Sequence, residues 1–288
     1  MKPATAISVA VVLVIYEQSD SLISRLLDQL DSLSWKPLSV YLVANEPQRS
    51  LRHFETRATV LEPSSNLGFC GGVNLAAKTA HTQSHSHLLL LNIDVELLVD
   101  DLVSRLATVF SMKDDCAFVS PGIVYWSDTS LVWYRGGQIL RPFWIARHPG
   151  IGRKWRPGSR GVVRTDFFSG CCVMVDLASF LRAGGFDTKL FMYYDEADLA
   201  KRVADLDGRY SYLLDEPLLA HDKPGRKFNV NEAYYQARNS RILLDRNERG
   251  LAHLIGRSAQ FAVAPLQLMR CESATARAAY WRGLRTRE

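Results

Sequence analysis

ISVAVVLVIYEQSDSLISRLLDQLDSLSWKPLSVYLVA, residues 7–44, is the stretch that decides the fold. Ile7–Tyr16 is a near-continuous β-branched and apolar run, the pattern of a strand buried on both faces of a parallel sheet. Ser19–Leu33 places Leu22, Ile23, Leu26, Leu27 and Leu30 on one side of a helix, with Ser and Asp as start signals and Pro37 as the stop. Leu38–Ala44 reads as a second strand and Thr59–Leu61 as a short third. Strand, helix, strand in succession predicts a right-handed, layered α/β fold with a mixed, mainly parallel central sheet flanked by helices. The apolar run from Ala4 has one Lys before it and no small-residue cleavage site after it, so it reads as a strand and not a leader. No segment reaches the roughly 18 to 20 apolar residues that span a bilayer.

The rest of the composition narrows the class. The 288 residues are 47% hydrophobic and 23% charged, as in a soluble globular chain. The net charge of +5 is unevenly spread. Arg141–Arg164 holds seven Arg or Lys and no acid, and Arg270–Arg287 is also Arg-rich. Such patches suit phosphorylated small molecules or anionic lipid. No aromatic-plus-basic RNA signature accompanies them, so nucleic acid is not expected as a partner. Five cysteines with no CxxC argue against a disulfide framework or a thiolate zinc site, and for a reducing cytoplasm.

Four stretches carry chemistry. Asn66–Asn74, NLGFCGGVN, reads as a glycine-rich turn before an alanine-rich helix at Leu75–Thr79, a place where backbone N–H groups could meet phosphate. It is neither GxGxxG nor GxxxxGK[ST]. Leu88–Val95, LLLLNIDV, is a buried strand ending in Asn92 and Asp94, where α/β sheets place their ligands. Asp100 and Asp101 supply the cap for a helix at Leu102–Phe110, which leaves Asp94 for another task. Ser169–Arg202 ends in an aromatic patch and three acids, Asp195, Glu196 and Asp198, in the first turn of a helix. Taken alone these acids would be a helix cap. Tyr125–Asp166 is a long loop-rich insertion with four tryptophans, suited to a sugar ring and a diphosphate. His81, His85 and His87 read as a polar connector before the LLLL strand and not as a metal site. His221, after Pro217–Ala220, precedes a basic turn.

Together these stretches resemble the family 2 inverting glycosyltransferases of the GT-A fold, and within them the rhamnosyltransferase-like branch of bacterial polysaccharide synthesis. The matching motifs are NLGFCGGVN (Asn66–Asn74), LLLLNIDV (Leu88–Val95), SGCCVMVD (Ser169–Asp176), GGFDTKLFMYYDEADLAKR (Gly184–Arg202), His221 and YYQARN (Tyr234–Asn239). They occur in the family's order over about residues 7 to 245. The resemblance implies a GT-A domain over 1–245, with a nucleotide-binding half (1–115) and an acceptor half (116–245). A basic amphipathic helical extension, 246–288, follows.

The resemblance also implies roles. Asp94 would hold Mg²⁺ or Mn²⁺ against the sugar-nucleotide diphosphate, with Asn92 beside it and His221 completing the site. Glu196 would be the catalytic base, with Asp195 as the alternative and Asp198 positioning base or acceptor. Asn66, Gly68, Gly71, Gly72 and Asn74 would shape the nucleotide pocket. Tyr16 and Glu17 stand where the family has Tyr-Asn. Val43–Ala44–Asn45 stands where it has Val-Asp-Asn, so base recognition rests on Asn45 or elsewhere. Gly170, Trp133 and Arg226 are the acceptor-side candidates. The implied substrates are dTDP-L-rhamnose and a polyprenyl-diphosphate-linked saccharide, used at the inner face of the cytoplasmic membrane. The competing expectation is a GT-A fold that binds a sugar nucleotide or glycan without turning it over. An NAD-type dehydrogenase fails on the missing GxGxxG.

Overall fold

A computed structural model describes residues 7–36, 38–156, 161–221 and 227–286. The strands are β1 (Val9–Ile15), β2 (Ser39–Ala44), β3 (Thr59–Leu61), β4 (His87–Leu91), β5 (Val95–Leu97), β6 (Cys116–Tyr125), β7 (Asp128–Tyr134), β8 (Gln138–Leu140), β9 (Ile145–Arg147), β10 (Val162–Thr165), β11 (Cys172–Asp176) and β12 (Tyr210–His221). The helices are α1 (Asp20–Ser32), α2 (Gly68–Thr82), α3 (Leu102–Met112), α4 (Leu177–Arg182), α5 (Asp195–Asp207), α6 (Val230–Asn247), α7 (Gly250–Leu268) and α8 (Ala274–Arg285).

One sheet dominates, in the order β10-β12-β6-β11-β4-β1-β2-β3, with β5 beside β12 and β7 beside β6. β4, β1, β2 and β3 run parallel, and so do β6 and β12, while β11 runs antiparallel between β4 and β6. This is a mixed sheet with a parallel nucleotide-side half. Alternation along β1 builds two cores. Val9, Val11, Leu13 and Ile15 pack with α1 and α3, while Ala10 and Val12 pack with α2, α4, α5 and α6. A separate cluster of Ala233, Ala237, Ala264, Ala276, Tyr280 and Leu284 joins α7 and α8 to α6.

Several boundaries differ from the sequence reading, each for a physical reason. NLGFCGGVN is mostly helix: α2 begins at Gly68, and Gly71 and Gly72 lie buried in its first turns. Glycine is a poor helix former, but here its missing Cβ lets α2 sit on the sheet. A Cβ on Gly72 would lie 3.0 Å from Val14 Cγ1. Asp101 stands at the N-cap of α3 without capping it by its side chain; its carboxylate pairs with Arg105 at 2.8 Å instead. β6 runs through Pro121–Gly122 to Tyr125, because pairing with β12 absorbs register shifts there. The insertion is ordered into β7, β8, β9 and β10. His221 is the last residue of β12 and not part of a following loop. Pro37 and Arg226 lie outside the described residues.

Candidate active site

The topology gathers one edge of the sheet. β1, β2, β4, β6 and β12 all point the same way, so Tyr16, Asn45, Asn92, Tyr125 and His221 meet at their carboxyl ends. The antiparallel β11 contributes the residues just before its start, Gly170 and Cys171. β5 turns back against β12 with Val95 opposite His221, which brings Asp94 beside the histidine.

Asp94 Oδ1 lies 3.3 Å from His221 Nε2, and the carboxylate is 55% exposed. Asn92 Nδ2 is 3.4 Å from the same nitrogen. His221 is buried and stacked on Trp133, ring centroids 4.7 Å apart at 25°. Its Nδ1 is buried with no hydrogen-bond partner among the described residues. A hard carboxylate oxygen and an imidazole nitrogen on the rim of an open edge fit Mg²⁺ or Mn²⁺. Two protein groups alone would leave a bound cation to draw further oxygens from a phosphate ligand. Among the described residues no group of three or more His, Cys, Asp and Glu is gathered to hold a metal. The site would thus be completed by an anionic ligand. His85 and His87 are used otherwise: each Nδ1 lies 2.9 Å from a serine hydroxyl, Ser8 and Ser86 respectively.

The acids of α5 divide by environment. Asp195 is 2% exposed, accepts a contact from Cys70 Sγ at 3.6 Å, and lies against Glu196. Burial, and then the Glu196 charge, push its pKa well above 3.8, which favours its protonated form. Glu196 is half-buried, and its Oε1 accepts the Gly170 N–H at 3.3 Å. Burial raises its pKa above 4.5, while its own N–H, the Asp195 carboxyl and the Gly170 N–H oppose the rise. Asp198 lies two residues on, about 200° around the helix. It is buried and paired with Arg202 at 2.7 Å and Arg246 at 3.4 Å. Arg202 also donates to Ala183 O and to Gly185 O. Asp198 therefore braces α5 against α6 and the Gly184–Gly185 turn. Of the three acids, Glu196 has the accessible carboxylate.

Two consecutive residues connect the halves of the site. The Cys171 carbonyl accepts the Asn92 N–H at 2.9 Å, and the Gly170 N–H reaches Glu196. A Cβ on Gly170 would lie 2.9 Å from Glu196 Oε1. Gly170→Ala is expected to move the carboxylate and lower turnover by about 10- to 100-fold, since small misplacements of reacting groups cost that much. Steady-state kinetics, with circular dichroism to show an intact fold, checks it.

The segment that delivers Glu196 is strained. Phe191, Tyr193 and Tyr194 all have left-handed backbones, with φ of 64°, 64° and 63°. Asn239 holds it: its Nδ2 lies 2.8, 2.8 and 2.9 Å from the carbonyls of Leu190, Met192 and Tyr193. Tyr193 is further tied by its hydroxyl to Glu232 at 2.8 Å. Asn239 and Glu232 were not singled out from sequence. The YYQARN motif contained the first, and Asn229 with Glu232 three residues later is a capping-box pattern that signals the second.

The nucleotide-side residues divide similarly. Asn45 is 2% exposed; its Oδ1 accepts the Leu67 N–H at 2.8 Å and its Nδ2 donates to the Gly68 carbonyl at 3.1 Å. Both ends of its amide are used to hold the start of α2, so it is not presented to a base. Asn74 clamps Phe186 through both backbone groups, at 2.9 and 2.8 Å. Gly68 (φ 66°) lies under the Phe191 ring, where a Cβ would approach within 2.6 Å. Gly68, Gly71, Gly72 and Asn74 thus set the packing of α2 against the sheet and the Phe186–Phe191 segment. Asn66 is exposed and folds its Oδ1 onto the Gly68 N–H at 2.8 Å. Tyr16 is 45% exposed at the sheet edge, and the Glu17 carboxylate beside it raises its pKa above 10.0. Glu17 has φ 62° and donates its N–H to Glu46 at 3.0 Å. Tyr16 is the open surface on this side.

No family model matches the chain. It is 26% identical over 227 residues to the N-acetylglucosaminyl-diphospho-decaprenol L-rhamnosyltransferase of Mycobacterium tuberculosis, covering 69% of this chain and 71% of the relative. A mannosyltransferase from Pyrobaculum calidifontis, solved with GDP-mannose and Mn²⁺, superposes with a TM-score of 0.59 at 16% identity, covering 99% of this chain and 77% of that one. GalNAc-T7, solved with UDP, GalNAc and Mn²⁺, gives 0.60 at 13% identity over 75% of this chain, which spans 43% of that structure. Residues 1–349 of S. aureus TarS with UDP give 0.58 at 12% identity, covering 97% and 81% of the two chains. The fold is GT-A, and the sequence is similar to that of an L-rhamnosyltransferase.

Proposed function

We propose that this rhamnosyltransferase-like glycosyltransferase transfers L-rhamnose, with inversion, from dTDP-L-rhamnose to a polyprenyl-diphosphate-linked saccharide at the cytoplasmic face of a membrane. The observation that carries the reading is the tie through Gly170 and Cys171 between Glu196 and the Asp94 turn. It joins a candidate base to the Asp94–His221 pair, a candidate cation site, at one sheet edge. Asp94 and His221 would hold Mg²⁺ or Mn²⁺. When bound, such a cation offsets the charge that develops on the leaving diphosphate. Glu196 takes the proton of an acceptor hydroxyl as that oxygen bonds to the anomeric carbon and the bond to the diphosphate breaks on the opposite face. Asp195, whose burial favours the protonated form, orients the Glu196 carboxylate from behind. Tyr16 lies at the edge where the base of the donor would rest, with Asn66 and Asn92 flanking the phosphates.

The donor and acceptor assignments draw on the relative from Mycobacterium tuberculosis, whose name specifies an L-rhamnosyltransferase acting on a decaprenyl-diphosphate-linked sugar. The membrane assignment draws on α7, where Leu251, Leu254, Leu266 and Met269 are 73%, 63%, 66% and 76% exposed. No described helix is long and apolar enough to cross a membrane. Purified protein with Mn²⁺, sugar nucleotides and a lipid-linked acceptor is expected to give a glycosylated lipid, and to float with anionic vesicles at low salt. Binding of the sugar nucleotide without any turnover would favour a non-catalytic binding protein, and protein that stays with the soluble fraction would overturn the membrane assignment.

A further inference from the structure

One large cleft adjoins the residues assigned above and extends well beyond them. It is a cleft of about 800 Å³ between the β7–β9 insertion and helices α6, α7 and α8. That volume is within the range of built ligand sites. At one end it is walled by Trp133, whose ring stacks on His221, and by Tyr193 and Tyr194, which lead directly into Asp195 and Glu196. At the other end Val263 and Met269 carry its lining onto α7.

The walls are fixed by hydrogen bonds. Gln260, 2% exposed, donates to Phe143 O at 3.3 Å and Ser240 O at 3.0 Å, joining the insertion to α6 and α7. The Ala146 N–H donates to the Tyr194 hydroxyl at 3.2 Å. The charge of the lining is one-sided. Arg147, Lys227 and Arg270 face it, while the one acid among the described lining residues, Glu232, is 4% exposed and accepts the Asn229 N–H and the Tyr193 hydroxyl. His148 lies in the same wall, and burial pushes its pKa down to about 4, with the Arg270 charge adding to the shift, so it brings no charge near neutral pH. Arg270 stacks over Phe228 at 4.4 Å, which presents an arginine head beside an aromatic face. Cations beside exposed aromatic rings suit a diphosphate joined to a sugar.

The exposed face of α7 continues from this cleft. At about 100° per residue, Leu251, Leu254, Ile255, Leu266 and Met269 fall on one side of the helix. Gly256 and Ala264 fall on the other, packed inward. Gly256 admits the close approach: a Cβ there would lie 2.5 Å from Leu244 and 2.7 Å from the Pro142 carbonyl.

We propose that this cleft is the acceptor site. The diphosphate of a lipid-linked saccharide is held by Arg270, Lys227 and Arg147. The sugar extends toward Trp133 and Glu196, and the hydrocarbon leaves over Met269 along α7. The proposal rests on the glycosyltransferase reading for its occupant. Its test is a binding measurement that needs no turnover.

Calorimetric titration of the full chain with a short-chain polyprenyl-diphosphate-linked N-acetylglucosamine is the experiment. The Lys227→Ala/Arg270→Ala variant is expected to raise Kd on the order of 10- to 100-fold, from loss of charge-assisted hydrogen bonds. Arg270→Lys alone is expected to retain most of the affinity, and binding of dTDP to the double variant to stay unchanged. A neutral glycoside without the diphosphate is expected to bind both proteins equally. An unchanged Kd in the double variant, or an equal loss for the neutral glycoside, would overturn the proposal, as would failure of the unaltered protein to bind the lipid at all. Tight binding that is lost in the double variant, with no transfer, would uphold the cleft and fault the catalytic reading alone.

Discussion

Glu196→Gln is expected to lower the rate constant for sugar transfer by about 10²- to 10⁴-fold, the range that a positioned general base contributes. Gln keeps the shape and can still accept the Gly170 N–H, so the loss isolates proton transfer from packing. Donor binding should be unchanged, because the proposed diphosphate site is Asp94 with His221 and not α5. The pH dependence follows from the same environment. The base must be ionised, and burial holds the Glu196 pKa above 4.5. The acidic limb of kcat therefore lies above the ordinary carboxylate range, and activity falls as pH drops through the raised pKa. The protonated Asp195 donates toward Glu196 and lowers its pKa. Asp195→Asn keeps a donor and is expected to leave the limb near its place. Asp195→Ala removes the donor and is expected to move the limb to higher pH. Rate profiles of the three proteins from pH 5 to pH 9, a range chosen to bracket ordinary assays, check both signs.

Asp94→Asn is the second large effect. Asp94 is the acidic half of the pair it makes with His221 on this rim, and the amide that replaces it is a weaker ligand for a hard cation. Turnover at a fixed Mn²⁺ concentration is expected to fall by about 10²-fold or more, the scale of several kcal/mol of leaving-group stabilisation. Calorimetry supplies the readout apart from activity: binding of dTDP should depend on Mn²⁺ in the unaltered protein and lose that dependence in the variant. His221→Ala should give a smaller loss, because it removes one neutral ligand and also unseats Trp133, stacked on it at 4.7 Å. Equal Mn²⁺-dependence in the Asp94→Asn protein would remove this residue from the diphosphate site.

Much of this architecture is legible in residues 7–44, where hydrophobic period and turn residues agree at every step. α1 was expected over Ser19–Leu33 and occupies Asp20–Ser32, with the Ser19 hydroxyl capping it. Thr59–Leu61 falls where the sequence places it. The glycine motif was harder. Its composition argues for a turn, but the helix is selected by contacts that local sequence does not contain, with Val14 and Val43 beneath Gly72 and Phe191 over Gly68.

The asparagines show a different limit. A motif says that an amide is needed, and not which way it faces. Asn45, Asn74 and Asn239 each spend their amide on backbone groups far along the chain, so their part in the site is to hold Leu67, Phe186 and the Phe191–Tyr194 segment in place. The acids were ordered by burial. Sequence left Asp195 and Glu196 as alternatives, and their exposure separates them, one sealed against Cys70 and one turned to the Gly170 edge. The cleft under α7 is assembled from the insertion and three late helices, so no single stretch announces it.

The most direct test is the anomeric configuration of the product formed from dTDP-L-rhamnose and a polyprenyl-diphosphate-linked N-acetylglucosamine, read by NMR for the unaltered protein and for Glu196→Gln. The arrangement of one base at Glu196 facing a diphosphate site at Asp94 and His221 predicts a single, inverted product that the variant forms at least 100-fold more slowly, as about 3 kcal/mol of lost general-base catalysis requires. A product of retained configuration, or a variant that transfers at the rate of the unaltered protein, would contradict it.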